Sequence, residues 1–298
     1  MRDPGEGQVI AGASLLVRYA NLVKLPHTVF ALPFALLGTV YASWVASVTW
    51  GKVGLVIIAF TAARFAAMAF NRLADRNLDA LNPRTRQREL PARHLTVGQA
   101  RYSVAMSSAV FVAAAALLNP LCFLLAPVAL LWVLAYSYTK RLTSWSHLWL
   151  GASLAIAPAG GFIAVTGTWS EPWWILPLIG VAVLTWVGGF DMFYALQDED
   201  FDRNHGLKSA VVLLGKRRSI LLAKVLHGVT VLSLLAFGLW TPFGFVYLVG
   251  VGLAAAVLVW EHQLVRPEDL SRLDAAFFTM NGVMSIIVFL GALGDRLL

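Results

Sequence analysis

Charge is scarce in this chain. Only 13% of its 298 residues are Asp, Glu, Lys or Arg, against about 25% in an average soluble domain. With 59% hydrophobic residues and a mean hydropathy of +0.72, that scarcity excludes an ordinary water-soluble globule. Cysteine is scarcer still. Cys122 stands alone, which excludes an internal disulfide, and its apolar setting makes it a packing residue rather than a nucleophile. The six histidines form no pair at helical ligand spacing, so zinc and haem are not expected. No soluble basic segment with interleaved aromatics is present, and nucleic acid is therefore not an expected partner. The first ten residues mix acids with glycine and lack the pattern of a cleavable signal. The first apolar run is expected to stay and span.

What the chain has in abundance is long apolar runs. A spanning helix needs about 20 mostly apolar residues. Nine runs qualify, near 25–47, 52–72, 100–118, 121–139, 147–167, 172–192, 218–239, 242–261 and 275–294. The expected fold class is all-α: a polytopic membrane protein, with residues 1–298 forming one domain. Connections at Thr49–Gly51, Asn119–Pro120, Gly167–Glu171 and Trp240–Pro242 are very short, so the helices they join must be antiparallel neighbours.

The few charges are not scattered. Lys and Arg gather on alternate loops: Arg18 and Lys24, then the stretch from Arg72 to Arg101, then Lys140 and Arg141, then Arg203 to Lys224, then Arg266 and Arg272. The opposite loops keep only Lys52 and Arg296, and Arg64 lies inside the second run. This asymmetry puts the N-terminus in the cytoplasm. The formal net charge of +7 is mostly this bias plus contact with anionic headgroups. Some of the arginines remain available for a polyanionic ligand.

Two acidic clusters close long apolar runs, one at Asn71–Asp79 and one at Asp191–Asp202. Carboxylates at membrane depth are costly, so they point to function. Asp75 with Asp79, and Asp198 with Asp202, share the spacing Asp-x-x-x-Asp, which sets two carboxylates one helical turn apart. Asn71, Asp75 and Asp79 form one stripe, and Asp191, Ala195, Asp198 and Asp202 a similar one. Glu199 and Asp200 point elsewhere. Two such pairs facing one cavity suit hard divalent cations, and Mg²⁺ held by carboxylates usually shares its shell with substrate phosphates. The plainer alternative is that these acids pair with Arg72, Arg76 and Arg203 and bind nothing. The matched spacing and matched helix-end positions of two clusters argue against it. A third string, Tyr136-Ser137-Tyr138-Thr139-Lys140, would alone be an interfacial aromatic with a snorkelling lysine. Beside the acids, Lys140 would neutralise Asp191, or Tyr136 would bond to it.

With these motifs the chain resembles the UbiA family of intramembrane prenyltransferases. Asn71-Arg72-x-x-Asp75-x-x-x-Asp79 matches the first family motif, Asp198-x-x-x-Asp202 with Asp191 upstream the second, and Tyr136-x-x-x-Lys140 the third. Asn82-Pro83-Arg84-Thr85, Leu90-Pro91 and Gly206-Leu207-Lys208-Ser209 fit as well, and the likeness runs from about Leu22 to the last run. The chain departs at Pro91-Ala92-Arg93, where many relatives carry a glycine. The resemblance implies nine helices around a central cavity, a lateral opening to lipid, and Mg²⁺-dependent transfer from a polyprenyl diphosphate. It implies that Asp75, Asp79, Asp198 and Asp202 bind Mg²⁺ and diphosphate, with Asn71 orienting that shell. Arg64, Arg72, Arg88 and Lys208 are candidates for diphosphate oxygens. Asp191, Tyr136 and Lys140 would sit beside the reacting centre, and Arg141 would meet the carboxylate of an aromatic acceptor. Arg18, Lys24 and His27 lie at the mouth of the first run and would also meet an anion.

The strings Leu25–Phe34 and Tyr194–Asp198 look most like bacterial 4-hydroxybenzoate polyprenyltransferase-like members, a branch that includes menaquinone synthesis by the futalosine route. The implied acceptor is a hydroxylated aromatic carboxylate, either 4-hydroxybenzoate or a dihydroxynaphthoate, used in quinone synthesis at the cytoplasmic membrane. Two rival classes are weaker. A cation-coupled transporter would carry its acids near the midplane on broken helices, whereas these sit at one interface. A phospholipid-synthesising alcohol phosphotransferase would need an Asp-Gly-x-x-Ala-Arg string, which is missing.

Overall fold

The computed structural model describes residues 10, 12, 14–24, 31–265, 273 and 279–298. Among the described residues the chain is helical and has no strand. Two short helices, α1 (Leu15–Leu22) and α2 (Leu32–Ala42), precede α3 (Trp50–Leu81). Thr49 caps α3 by accepting the Lys52 N–H at 3.3 Å. At 1.5 Å per residue, the 32 residues of α3 run for roughly 48 Å, well beyond a bilayer core of about 30 Å. Its last turns, which carry the first acidic cluster, must therefore leave the hydrocarbon.

Helices α4 (Val97–Leu118) and α5 (Pro120–Leu142) share a single connecting residue. Asn119 bonds back to the Ala115 carbonyl and caps α5 by accepting the Cys122 N–H at 2.9 Å. Pro120 follows in the first turn, where its missing N–H costs nothing. Helix α6 (Ser146–Thr166) ends on Gly167, whose φ of +71° is the left-handed stop that glycine supplies without strain. Helix α7 (Ile175–Ala195) gives way to a 3₁₀ turn at Leu196–Asp198. Then come α8 (Glu199–Asn204), α9 (Ala210–Leu214), α10 (Lys216–Leu239), α11 (Phe245–Leu264) and α12 (Asn281–Leu297).

Seven helices among the described residues are long and apolar enough to cross a membrane: α3, α4, α5, α6, α7 continued to Asn204, α10 and α11. The nine expected spans are not all seen. The first expected run, 25–47, contributes α2 with only 11 residues, because Pro33 sits in its first turn and sets its start. The last, 275–294, contributes α12 with 17 residues. Residues 25–30 and 274–278 lie outside the described residues.

Helix α7 is the most enclosed of the spans, packed against α6 and α10. Its Trp186 meets Phe34 of α2 at a ring separation of 5.0 Å and Phe190 at 5.1 Å. Tyr247 and Phe237 extend that core toward α10 and α11. The Tyr247 hydroxyl is satisfied by the Leu234 carbonyl at 3.1 Å, as a hydroxyl without access to water requires. Helices α4 and α5 are the least enclosed and turn Leu117, Leu124, Val128 and Leu131 outward. Where α2 crosses α6 the backbones touch. A Cβ on Gly161 would overlap the Ala35 carbonyl oxygen, and one on Gly38 would overlap that of Pro158. Small residues let helices approach this closely in lipid.

Candidate active site

A cavity of about 840 Å³ is enclosed mainly by α3, α5, α6 and α7. It extends from Asp202 on α8 to Trp169 in the α6–α7 connection. Its length is lined by apolar and small side chains, among them Ala63, Ala67, Ala126, Ala129, Ala155 and Gly160. Its polar end gathers both acidic clusters. Asp75 and Asp79 come from the last turns of α3, Asp191 from α7, Asp198 from the 3₁₀ turn, and Asp202 from α8. The second stripe is thus not one continuous helical face, as its spacing suggested. The 3₁₀ turn winds at three residues per turn and shifts Asp198 and Asp202 relative to Asp191, yet all three still line the cavity.

Each acid has a basic partner, and most of these partners come from distant segments. Asp75 accepts from Arg141 at 2.7 Å through Oδ1 and from Asn71 at 3.0 Å through Oδ2. Asp79 accepts from Arg88 at 2.6 Å. Asp198 is held by the fork of Arg84, at 3.0 Å from Nε and 2.5 Å from a terminal nitrogen, with Asn82 adding a bond at 3.2 Å. Such two-pronged contacts are the strong kind. Asp202 lies 3.3 Å from Lys140 Nζ. Asp191 lies 2.7 Å from His147 Nδ1.

None of these partners is one that the plainer alternative named. Arg72 donates to the Leu22 carbonyl at 3.3 Å, Arg76 to the Leu73 carbonyl at 2.9 Å, and Arg203 to Glu199 at 2.8 Å. Lys140 serves Asp202 rather than Asp191, and Tyr136 lines the cavity without bonding Asp191. Arg64 and Arg72 line the cavity and also brace the end of α1. They donate to the Val23 and Leu22 carbonyls, which have no donors within their own helix. Lys208 falls outside the cavity. It is exposed, its Nζ bonds the Leu142 carbonyl at 3.1 Å, and its backbone N–H bonds the Lys140 carbonyl at 2.7 Å, so it closes the end of α5. Lys24 lines the cavity 5.9 Å from the Tyr194 ring. Arg18 bonds the His94 carbonyl at 3.0 Å. His27 lies outside the described residues.

Three residues here were not named as site residues from sequence: Arg84 and Tyr194, which lay inside the family-like strings, and His147. Arg84 bonds the Tyr194 hydroxyl at 2.6 Å as well as Asp198. A local signal for it existed. Asn82 Oδ1 accepts the Arg84 N–H at 2.9 Å, the Asx turn that an Asn two residues ahead favours. That turn folds the chain back over the end of α3. His147 carried no comparable signal.

Among the described residues, no group of three or more His, Cys, Asp or Glu is placed to hold a metal ion by itself. Four of the five acids instead come as two pairs, Asp75 and Asp79 on α3 and Asp198 and Asp202 on the 3₁₀ turn and α8. Asp79 Oδ2 is buried and has no hydrogen-bond partner among the described residues. Carboxylate oxygens in ones and twos, with substrate phosphates completing the shell, are what Mg²⁺ prefers, so the donor set fits that ion.

A helical membrane protein with a deep apolar cavity, closed at one end by five carboxylates and their basic partners, defines a class of intramembrane enzyme acting on a long apolar molecule with a polyanionic head. Residues 31–283 match the UbiA prenyltransferase family, and the chain belongs to it. It is 31% identical over 285 residues to a 4-hydroxybenzoate octaprenyltransferase of Methylobacillus flagellatus, covering 94% of each chain. A protein of the same name from Nitrosococcus oceani is 31% identical over 277 residues, covering 91% of this chain and 95% of its own. Among solved structures, a UbiA homologue from Aeropyrum pernix K1 superposes with a TM-score of 0.83 at 34% identity, covering 90% of this chain and 98% of its own. A homologue from Archaeoglobus fulgidus bound to GPP and Mg²⁺ shares the fold, with a TM-score of 0.74 at 19% identity, covering 94% of this chain and 100% of its own.

Proposed function

We propose that this protein transfers a polyprenyl group from an allylic polyprenyl diphosphate to a hydroxylated aromatic carboxylate, with 4-hydroxybenzoate as the acceptor, in quinone synthesis. The observation that carries this reading is the joining of an apolar cavity to an acid-and-base cluster in one enclosure. The names of the relatives supply the acceptor. The tail lies along the small residues of α3, α5 and α6, and the diphosphate meets the polar end.

Asp75, Asp79, Asp198 and Asp202 would hold Mg²⁺ together with the diphosphate, and Asn71 would orient Asp75, to which it already bonds. Bound Mg²⁺ would neutralise charge on the departing pyrophosphate. The fold relative from Archaeoglobus fulgidus, with GPP and Mg²⁺, supports that pairing. Arg64, Arg72 and Arg88 supply further positive charge to the diphosphate oxygens, a task that suits the guanidinium fork. The apolar walls keep water from an allylic cation. Asp191, Tyr136 and Lys140 stand beside the acceptor. Arg141, which bridges from α5 to Asp75, would meet the acceptor's carboxylate. The arginine-rich loops support an orientation with this end toward the cytoplasm, in the cytoplasmic membrane.

The test is purified protein in lipid nanodiscs with Mg²⁺, a polyprenyl diphosphate and a panel of acceptors that includes dihydroxynaphthoate, with products read by mass spectrometry. The expected product is prenylated 4-hydroxybenzoate with release of pyrophosphate. Asp75→Ala or Asp198→Asn should lower the rate by about 100-fold or more, as loss of a charge-stabilising group does. Undiminished turnover in Asp75→Ala would sink the metal assignment.

A further inference from the structure

His147 stands in the first turn of α6 and is completely buried, at 0% exposure. Both of its ring nitrogens are engaged. Nδ1 lies 2.7 Å from Asp191 Oδ2, and Nε2 lies 3.4 Å from the backbone nitrogen of Ala210. A backbone N–H can only donate. Nε2 must therefore present its lone pair, which leaves the ring hydrogen on Nδ1, donated to Asp191. The tautomer is thus assigned by the hydrogen-bond network.

Ala210 is itself held in place. It opens α9, where Ser209 caps the helix by accepting the Val212 N–H at 3.1 Å. The Ala210 carbonyl accepts from Ser219 Oγ of α10 at 3.3 Å. A chain of fixed contacts therefore runs from α10 through α9 and α6 to Asp191 on α7. Asp191 lines the cavity, and its Oδ1 has no hydrogen-bond partner among the described residues.

We propose that His147 is a positioning residue. Through Nδ1–H it locks the Asp191 carboxylate in one orientation and so presents Oδ1 to the cavity as an acceptor for the ring hydroxyl of the aromatic substrate. The idea rests on the reaction proposed above and deepens it. A carboxylate pinned in this way recognises a hydroxyl by its hydrogen and gains nothing from a methyl ether at the same place. Rejection of an analogue that lacks the needed donor is the strongest form of discrimination a polar site offers.

Two variants separate this role from simple packing. His147→Phe fills the volume without a donor, and His147→Asn restores a donor close to the position of Nδ1. His147→Phe should lower kcat/KM for 4-hydroxybenzoate by about 10- to 100-fold, the range for losing a hydrogen bond to a charged group. The KM for the polyprenyl diphosphate should stay within about twofold, and His147→Asn should recover most of the loss. An unchanged acceptor kcat/KM in His147→Phe overturns the proposal, and so does an equal effect on both substrates. A measurement independent of turnover completes the test. The ¹⁵N NMR spectrum of histidine-labelled protein, with His147 identified by its loss in His147→Asn, should show protonation at Nδ1. Protonation at Nε2 overturns the proposal even if the acceptor is something else. A wild-type protein that shows the Nδ1 tautomer but prenylates no hydroxylated aromatic carboxylate would defeat the proposed function while leaving the histidine geometry standing.

Discussion

Arg84 ties a loop to the second acidic motif. Its side chain is 14% exposed and that of Asp198 9%, so the pair is shielded from screening by solvent. Removing one partner of a buried pair leaves a charge without compensation and costs about 3 kcal/mol. Asn82 still bonds Asp198, so the loss for Arg84→Ala is expected at about 2–3 kcal/mol, read as a lowered Tm in detergent. The double variant Arg84→Ala with Asp198→Asn should recover part of it, because no uncompensated carboxylate remains. A Tm for Arg84→Ala equal to that of the wild type would contradict this account. The same pair shows why some residues were legible in the sequence and others were not. An aspartate inside an apolar run announces itself by its cost. Its partner does not, because Arg84 lies 114 positions from Asp198 and His147 lies 44 from Asp191. Only the folded chain brings them together.

Elements were legible where length and composition alone determine them. The spans from α3 to α11 were readable as long apolar runs, because an apolar stretch in lipid must satisfy its own backbone and so must be helical. Geometry within the elements was less readable. The spacing of Asp191, Asp198 and Asp202 implied one continuous face, but the 3₁₀ turn after Ala195 depends on how α7 and α8 pack, which periodicity does not record. Glycine positions carry similar hidden information. Gly160 and Gly161 are adjacent on α6, yet a Cβ on Gly160 meets open space while one on Gly161 meets the α2 backbone. Gly161→Ala should therefore destabilise the protein by about 1–3 kcal/mol or more, as overpacking does. Gly160→Ala should stay within about 0.5 kcal/mol of the wild type. Thermal unfolding of the two variants side by side checks the contrast. Equal behaviour would mean that α2 does not press on α6 as described.

At the scale of the whole molecule, the cavity has an unequal charge inventory. Among the described residues, seven Lys and Arg side chains line it (Lys24, Arg64, Arg72, Arg84, Arg88, Lys140 and Arg141) against five aspartates. The excess lies at one end of a greasy duct, where low-dielectric walls focus the field. Such a duct sorts molecules by shape and polarity of charge, with little regard to what the anionic head is made of. Fatty acids and anionic detergents with tails long enough to fill it are counterfeit substrates. They should compete with the polyprenyl diphosphate, more strongly as the tail lengthens, because each buried methylene adds about 0.8 kcal/mol. A quaternary-ammonium amphiphile with the same tail should compete far less, and equal inhibition by the two would refute the charge argument. The solubilising agent chosen for this protein therefore doubles as a probe of its entrance, and an anionic one would masquerade as loss of activity.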